Sequence, residues 1–228
     1  LRCLVGSEMC IRDSYKREPS FPIAVACDPA FNFVYEANIR YLHHLGEVTY
    51  FSPLADTSLP DAGFVYLTGG YPELYLAALS ANRQMLQSIR RYVESGGKLL
   101  AECGGMMYLC DEIRDKNGDV YPMAGVLHQS ATMENMKLRL GYRTLLYNET
   151  RLKGHEFHYS RLVEQQNPLP SCAVAYTAKG VETDTPLYHY KNVWAGYTHL
   201  YWADPVGNEW FTKFVIDGNT CLLYTSPS

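Results

Sequence analysis

The chain carries 228 residues, 47% apolar and 19% charged, at a net charge of −4, the composition of a soluble globular protein with material for one well-packed domain. That balance excludes a basic surface for nucleic acid or anionic lipid, and no run approaches the roughly 18 apolar residues that span a bilayer. Seven cysteines are an odd number for a disulfide framework, and Cys27, Cys103, Cys110 and Cys172 lack metal-type CxxC spacing, so they read as free thiols in a reducing, cytoplasmic setting.

The opening LRCLVGSEMCIRDS, with Cys3 and Cys10, has neither helical nor strand periodicity. It lacks a signal peptide's cleavage pattern and resembles translated sequencing-adapter sequence, as does the closing CLLYTSPS with Cys221. Residues 1–20 and 218–228 are therefore expected to be a non-native or disordered leader and tail around a domain at 21–217. The native protein is expected to extend beyond one or both ends.

Pro22 to Cys27 (PIAVAC) is a short apolar strand run that ends in the Asp28-Pro29 turn signal. Val34 to Leu45 reads as a helix, and Glu47 to Phe51 and Phe64 to Thr68 as strands, the last running into Gly69-Gly70. Pro72 stands where the first turn of a helix accepts a proline. Ser80 to Glu94 has Met85, Leu86, Ile89 and Val93 at helical spacing and stops at Gly96-Gly97. Lys98 to Ala101 is a strand and Gly104 to Glu112 a helix. Strands alternating with helices predict an α/β fold: three layers, with a mostly parallel sheet flanked by helices. Beyond Gly125, Leu138 to Tyr147, His155 to Tyr159, Cys172 to Thr177 and Val193 to Thr198 read as strands with loops between them. A helix from about Pro205 to Ile216 closes the pattern.

Cys103 lies in AECGG, between a strand and a helix, in a small-x-nucleophile-x-glycine pattern. A nucleophile on such an elbow is held in a strained conformation, and small neighbours avoid collision. The turn exposes the sulfur at the carboxyl end of the sheet. The helix amino terminus favours thiolate, and the Gly104 N–H points toward the attack site as an oxyanion donor. A free cysteine is ordinarily a small buried apolar group, the role expected of Cys27, Cys110 and Cys172. The elbow and its paired glycines set Cys103 apart. Gly69-Gly70 follows a strand and is either a tight turn, a second oxyanion donor, or both.

The segment KLLAECGGMMYL (Lys98 to Leu109) resembles the nucleophile segment of class I, triad-type glutamine amidotransferases, and more narrowly the cobyrinate a,c-diamide synthase family of cobalamin biosynthesis. DPAFNFVYEAN, TGGYPEL, GHEFHYS and GYTHLYW match in the same order, so the resemblance covers Ile23 to about Ile216. Cobyric acid synthases have a different nucleophile segment and lack GHEFHYS. The resemblance implies a flavodoxin-like fold, Cys103 as nucleophile, His199 as its base, and Gly70 with Gly104 as oxyanion donors. Most triad amidotransferases carry a glutamate two residues after the histidine. Tyr201 stands there in this chain, which leaves Glu73, Glu102 and Glu156 as unranked candidates to orient His199. The histidines of GHEFHYS are three apart, not the HExxH of zinc hydrolases, and alternate faces on a strand, so no metal is expected.

The resemblance further implies glutamine as substrate and no cofactor in this domain. An ATP-binding synthetase domain, using ATP and Mg, would precede it and amidate a cobyrinate-type tetrapyrrole. No GxxxxGK[ST] loop occurs here. The alternatives are a non-catalytic binding domain of the same shape, a cysteine hydrolase with the same elbow, or the amidotransferase domain of a cobyric acid or nickel-sirohydrochlorin type synthase.

Overall fold

The computed structural model describes residues 21–166 and 168–217. The expectations for 1–20 and 218–228, with Cys3, Cys10 and Cys221, lie outside the described residues. A central six-stranded sheet is built from β1 (Phe21–Ala26), β2 (Gly46–Phe51), β3 (Phe64–Leu67), β4 (Lys98–Glu102), and two later strands, Leu187–Tyr190 and Val193–Gly196. Across the sheet the order is Leu187–Tyr190, Val193–Gly196, β4, β3, β1, β2. Only the edge pairing of the two late strands is antiparallel.

Period-two alternation sorts these strands onto two faces. Ala24, Val65, Leu67, Leu99 and Ala101 join one core cluster with Met85, Ile89 and Val93 of α2 (Arg83–Glu94) and Met106 of α3 (Gly104–Leu109). Ile23, Val25, Phe64, Tyr66 and Leu100 join the other, with Leu42, Trp202 and Phe211. Leu42 comes from α1 (Glu36–Leu45) and Phe211 from the helix Pro205–Thr212. The three-layer α/β class predicted from the sequence is the class observed. Among the described residues no helix is long and apolar enough to cross a membrane.

The segment beyond Gly125 does more than supply strands joined by loops. Arg139–Tyr147, Thr150–His158, Val174–Thr177 and His199–Tyr201, with the short Glu182–Thr183, form a second sheet whose pairings are all antiparallel. The strand expected over Val193 to Thr198 splits at Gly196, where the chain leaves the central sheet for this second one. A Cβ at Gly196 would lie 2.9 Å from the Pro186 carbonyl oxygen, so the residue at the crossing must be small.

Three boundaries move for local reasons. The helix expected over Ser80 to Glu94 is broken at Asn82, whose side chain accepts from Met85 N and donates to the Pro53 and Asp56 carbonyls; capping overrides amphipathic continuity. The helix after Cys103 stops at Leu109, and Glu112–Arg114 pairs as a strand with Ser130–Thr132 and Val120–Pro122. Pro72–Leu74 is a single 3-10 turn. Cys27, expected to pack, is exposed at the end of β1.

Candidate active site

Cys103 has φ 49° and ψ −106°, a backbone region that non-glycine residues avoid and that costs about 1–3 kcal/mol. The surroundings enforce it. Cys103 N donates to Gly196 O at 2.8 Å, and Cys103 O accepts from Met107 N at 3.0 Å in the first turn of α3. A Cβ at Gly105 would lie 2.3 Å from Leu67 O, and one at Gly104 would lie 2.7 Å from Pro72 Cδ and 3.2 Å from Gly70 N. The paired glycines therefore let α3 press against β3 and bring the Gly104 and Gly70 peptides side by side. Gly70 itself has φ 157° and passes so close to Ala30 O that any side chain would collide.

The Gly69-Gly70 loop pairs with Phe31–Phe33. Asp28 fixes that segment: one carboxylate oxygen accepts from the Ala30 and Phe31 N–H groups, the other from Ser52 Oγ and Leu54 N. Phe33 then places its ring 4.4 Å from the His199 imidazole, centre to centre.

His199 is 2% exposed and opens the last strand of the second sheet, directly opposite His155. Its edge lies against Gly69, where a Cβ would sit 2.2 Å from Cε1 and 2.8 Å from Nδ1. Gly154, the first residue of GHEFHYS, lets its strand approach the His199 carbonyl, since a Cβ there would lie 2.3 Å from that oxygen. Buried Asn38 holds the same strand from the other side, donating to Leu200 O and accepting from Trp202 N. Cys103, His199, Gly70, Phe33, Tyr71 and Phe157 line one narrow pocket. The Cys103 thiol points at Phe157 O, 3.8 Å away.

The electrostatics run against a resting thiolate. Burial pushes the Cys103 thiol up to about 12, and the Glu73, Glu102 and Glu156 carboxylates push the same way, outweighing the hydrogen bond from Gly104 N–H. The helix-terminus effect expected from the sequence is thus overridden by desolvation and carboxylates. Burial, with His155 and His158 beside it, drives His199 down to about 3, so its imidazole is neutral at pH 7. A neutral thiol beside a neutral imidazole suits proton transfer at the moment of attack rather than a stored ion pair.

None of the three glutamates considered for orienting His199 bonds to it. Glu102 accepts from Tyr66 OH with one oxygen and from Leu200 N with the other. Glu156 is buried against the Arg143 guanidinium at 2.6 Å, on the strand face away from His155 and Phe157. Burial raises Glu73, whose charge acts on Cys103. Among the described residues, His199 Nδ1 has no hydrogen-bond partner.

Glu102 gives a pH-dependent stability. Burial raises its carboxyl from 4.5 to about 7 against the hydrogen bonds that favour the anion. The folded state therefore holds the proton more tightly, and stability falls as pH rises from 4.5 through 7. The cost of ionising it is on the order of 3 kcal/mol at pH 8. Glu102→Gln can keep both partners, its oxygen on Leu200 N and its amide on Tyr66 OH. Thermal unfolding of E102Q is expected to rise by roughly 4–10 °C at pH 8 and to differ far less at pH 5.

Cys103, His199, Gly70 and Gly104, the four site residues expected from the sequence, are brought close together by the fold. The sequence assigns no site role to Asp28, Phe33 or Asn38, offers Gly69 only as part of a turn or oxyanion loop, and raises His155 only as a metal ligand. Asp28, Phe33 and Asn38 lie in DPAFNFVYEAN, whose sequence gives only turn and helix signals; the signal available is polar and aromatic residues in a matched segment with no local task.

The CobB/CobQ-like glutamine amidotransferase domain matches residues 22–206. The cobyrinate a,c-diamide synthase of Fusobacterium nucleatum is 40% identical over 188 residues, 78% of this chain and 41% of that protein. The hydrogenobyrinate a,c-diamide synthase of Pseudomonas aeruginosa is 40% identical over 185 residues, with the same coverage. The chain thus spans about two-fifths of the length of these relatives. Two solved structures share the fold at 16% identity: PurLQS from Thermotoga maritima, with a TM-score of 0.54 over 87% of this chain and 96% of that one, and a putative GMP synthase subunit from Thermoplasma acidophilum, with a TM-score of 0.52 over 86% and 92%. A family match over most of the chain, a span that includes the segments that build the Cys103 pocket, makes this a glutamine amidotransferase domain of the cobyrinate a,c-diamide synthase family.

Proposed function

We propose that the chain hydrolyses glutamine through Cys103 and His199 and supplies the ammonia to an ATP-dependent amidation of acetate carboxylates on cobyrinate or hydrogenobyrinate. The observation that carries this reading is the single pocket shared by Cys103, His199 and Gly70. Neutral His199 takes the proton of the Cys103 thiol as sulfur attacks the glutamine side-chain carbonyl carbon. The Gly104 and Gly70 N–H groups meet the oxyanion. His199 returns the proton to the leaving nitrogen, ammonia departs, and a glutamyl thioester remains. Water, deprotonated by His199, cleaves the thioester to glutamate and restores the thiol. Activation of the acceptor carboxylate by ATP and Mg belongs to the part of the relatives that this chain does not span.

A glutamine-mimicking diazo ketone tests the reading by mass spectrometry. One adduct on Cys103, suppressed by excess glutamine and absent from Cys103→Ala, is the expected result. Adducts spread over Cys27 and Cys172, insensitive to glutamine, would refute a glutamine site.

A further inference from the structure

We propose that His199 is oriented by a cluster of aromatic rings, Phe33 and His155 with Tyr35 behind them, in the place where most triad amidotransferases use a carboxylate. The proposal rests on the Cys103–His199 reading and adds the part that reading lacks.

Among the described residues His199 Nδ1 is buried without a partner, and no hydrogen bond from them fixes the ring. Its neighbours do so by shape. Phe33, His155 and His199 form a triangle of rings, with centres 4.4 Å, 5.3 Å and 5.6 Å apart, while the Gly69 backbone closes the imidazole's edge. His155 is itself held: its Nδ1 is 3.1 Å from Tyr35 OH. Tyr35 packs edge-on against Tyr201 at 5.5 Å, and Tyr201 is the residue that occupies the position of the missing glutamate. The departure from the usual pattern thus has a structural counterpart: the side chain at 201 buttresses Tyr35, which fixes His155, which limits the rotation of His199. When His199 becomes an imidazolium during turnover, the Phe33 ring at 4.4 Å supplies a cation–π contact. Tyr35, Phe33, His155 and Tyr201 touch no reacting atom in this scheme, which makes them positioning residues.

Tyr35→Phe removes one hydroxyl and His155→Gln one ring, both at partly exposed positions, so both variants are expected to fold. General acid–base catalysis is worth about 10²–10⁴-fold, and a misaligned base forfeits part of it. The kcat for glutamine hydrolysis is expected to fall roughly 10–100-fold in H155Q and a few-fold in Y35F, with KM nearly constant. In a His199→Ala background, H155Q is expected to cost nothing further. Imidazole ¹³C–¹H relaxation provides a readout that needs no turnover: a rigid His199 ring in the parent, and a mobile one in H155Q. Unchanged His199 ring mobility in both variants would overturn the proposal, as would an equal kcat loss from H155Q with and without His199. Failure of diazo ketone labelling in the parent would sink the glutaminase reading while leaving the relaxation result to stand or fall alone.

Discussion

Cys103→Ala and Cys103→Gly are both expected to lose glutamine hydrolysis by about 10⁴-fold or more, because each removes the atom that forms the thioester. Their stabilities are expected to differ in an unusual direction. At most positions alanine is the more stable of the two, since glycine loses more backbone freedom on folding. At 103 the backbone sits at φ 49° and ψ −106°, where a Cβ collides with its own peptide neighbours and glycine does not. The glycine variant is therefore expected to exceed the alanine variant by about 1 kcal/mol, read as a higher urea midpoint at equal slope. An alanine variant as stable as the glycine variant would mean that the elbow carries no strain. The comparison separates what Cys103 does for chemistry from what the site costs the fold, since neither variant keeps the sulfur. The natural residue lies on the losing side of that backbone preference, a cost that a nucleophile explains and a packing cysteine does not.

The central layer was legible because its signals are local. Short continuous apolar runs, Ile23 to Ala26, Phe64 to Leu67 and Leu99 to Ala101, mark buried strands, and Met85, Leu86, Ile89 and Val93 mark a helix face. The nucleophile was legible for the same reason, since strand, cysteine, glycine pair and helix stand in one unbroken run. What could not be read was long-range. His155 faces His199 only because the chain changes sheets between Gly196 and His199, and no local periodicity announces such a crossing. Asn38 is a helix residue by position, yet its side chain serves a strand more than 160 positions away. The thiol value follows from burial and from carboxylates, of which Glu73 and Glu156 are brought near by folding, and the imidazole value from burial with His155 and His158, not from the helix that follows Cys103. Gly69 and Gly70 are adjacent in sequence but differ in their tasks: Gly70 passes under Ala30, and Gly69 makes room for an imidazole.

That difference sets the second large effect. Gly69→Ala would place a methyl 2.2 Å from His199 Cε1 and 2.8 Å from Nδ1, distances that no packing tolerates. The colliding partner is a side chain, so the conflict resolves by rotating His199 away rather than by unfolding the sheet. Rotation moves the imidazole out of the pocket it shares with Cys103, and a loss of about 10²–10⁴-fold in kcat is expected, the usual worth of a positioned base. The thiol itself stays where Gly196 O, Gly104 and Gly105 hold it. Alkylation of Cys103 by a small neutral electrophile at pH 9 is therefore expected to change by less than about threefold, a step that needs thiolate but no returned proton. Gly105→Ala is the control of opposite character, because its methyl would meet Leu67 O at 2.3 Å. There the conflict is with backbone, and the expected loss is in stability as well as in rate. Were G69A to hydrolyse glutamine at the parent rate, His199 could not be the base in the position where the structure holds it.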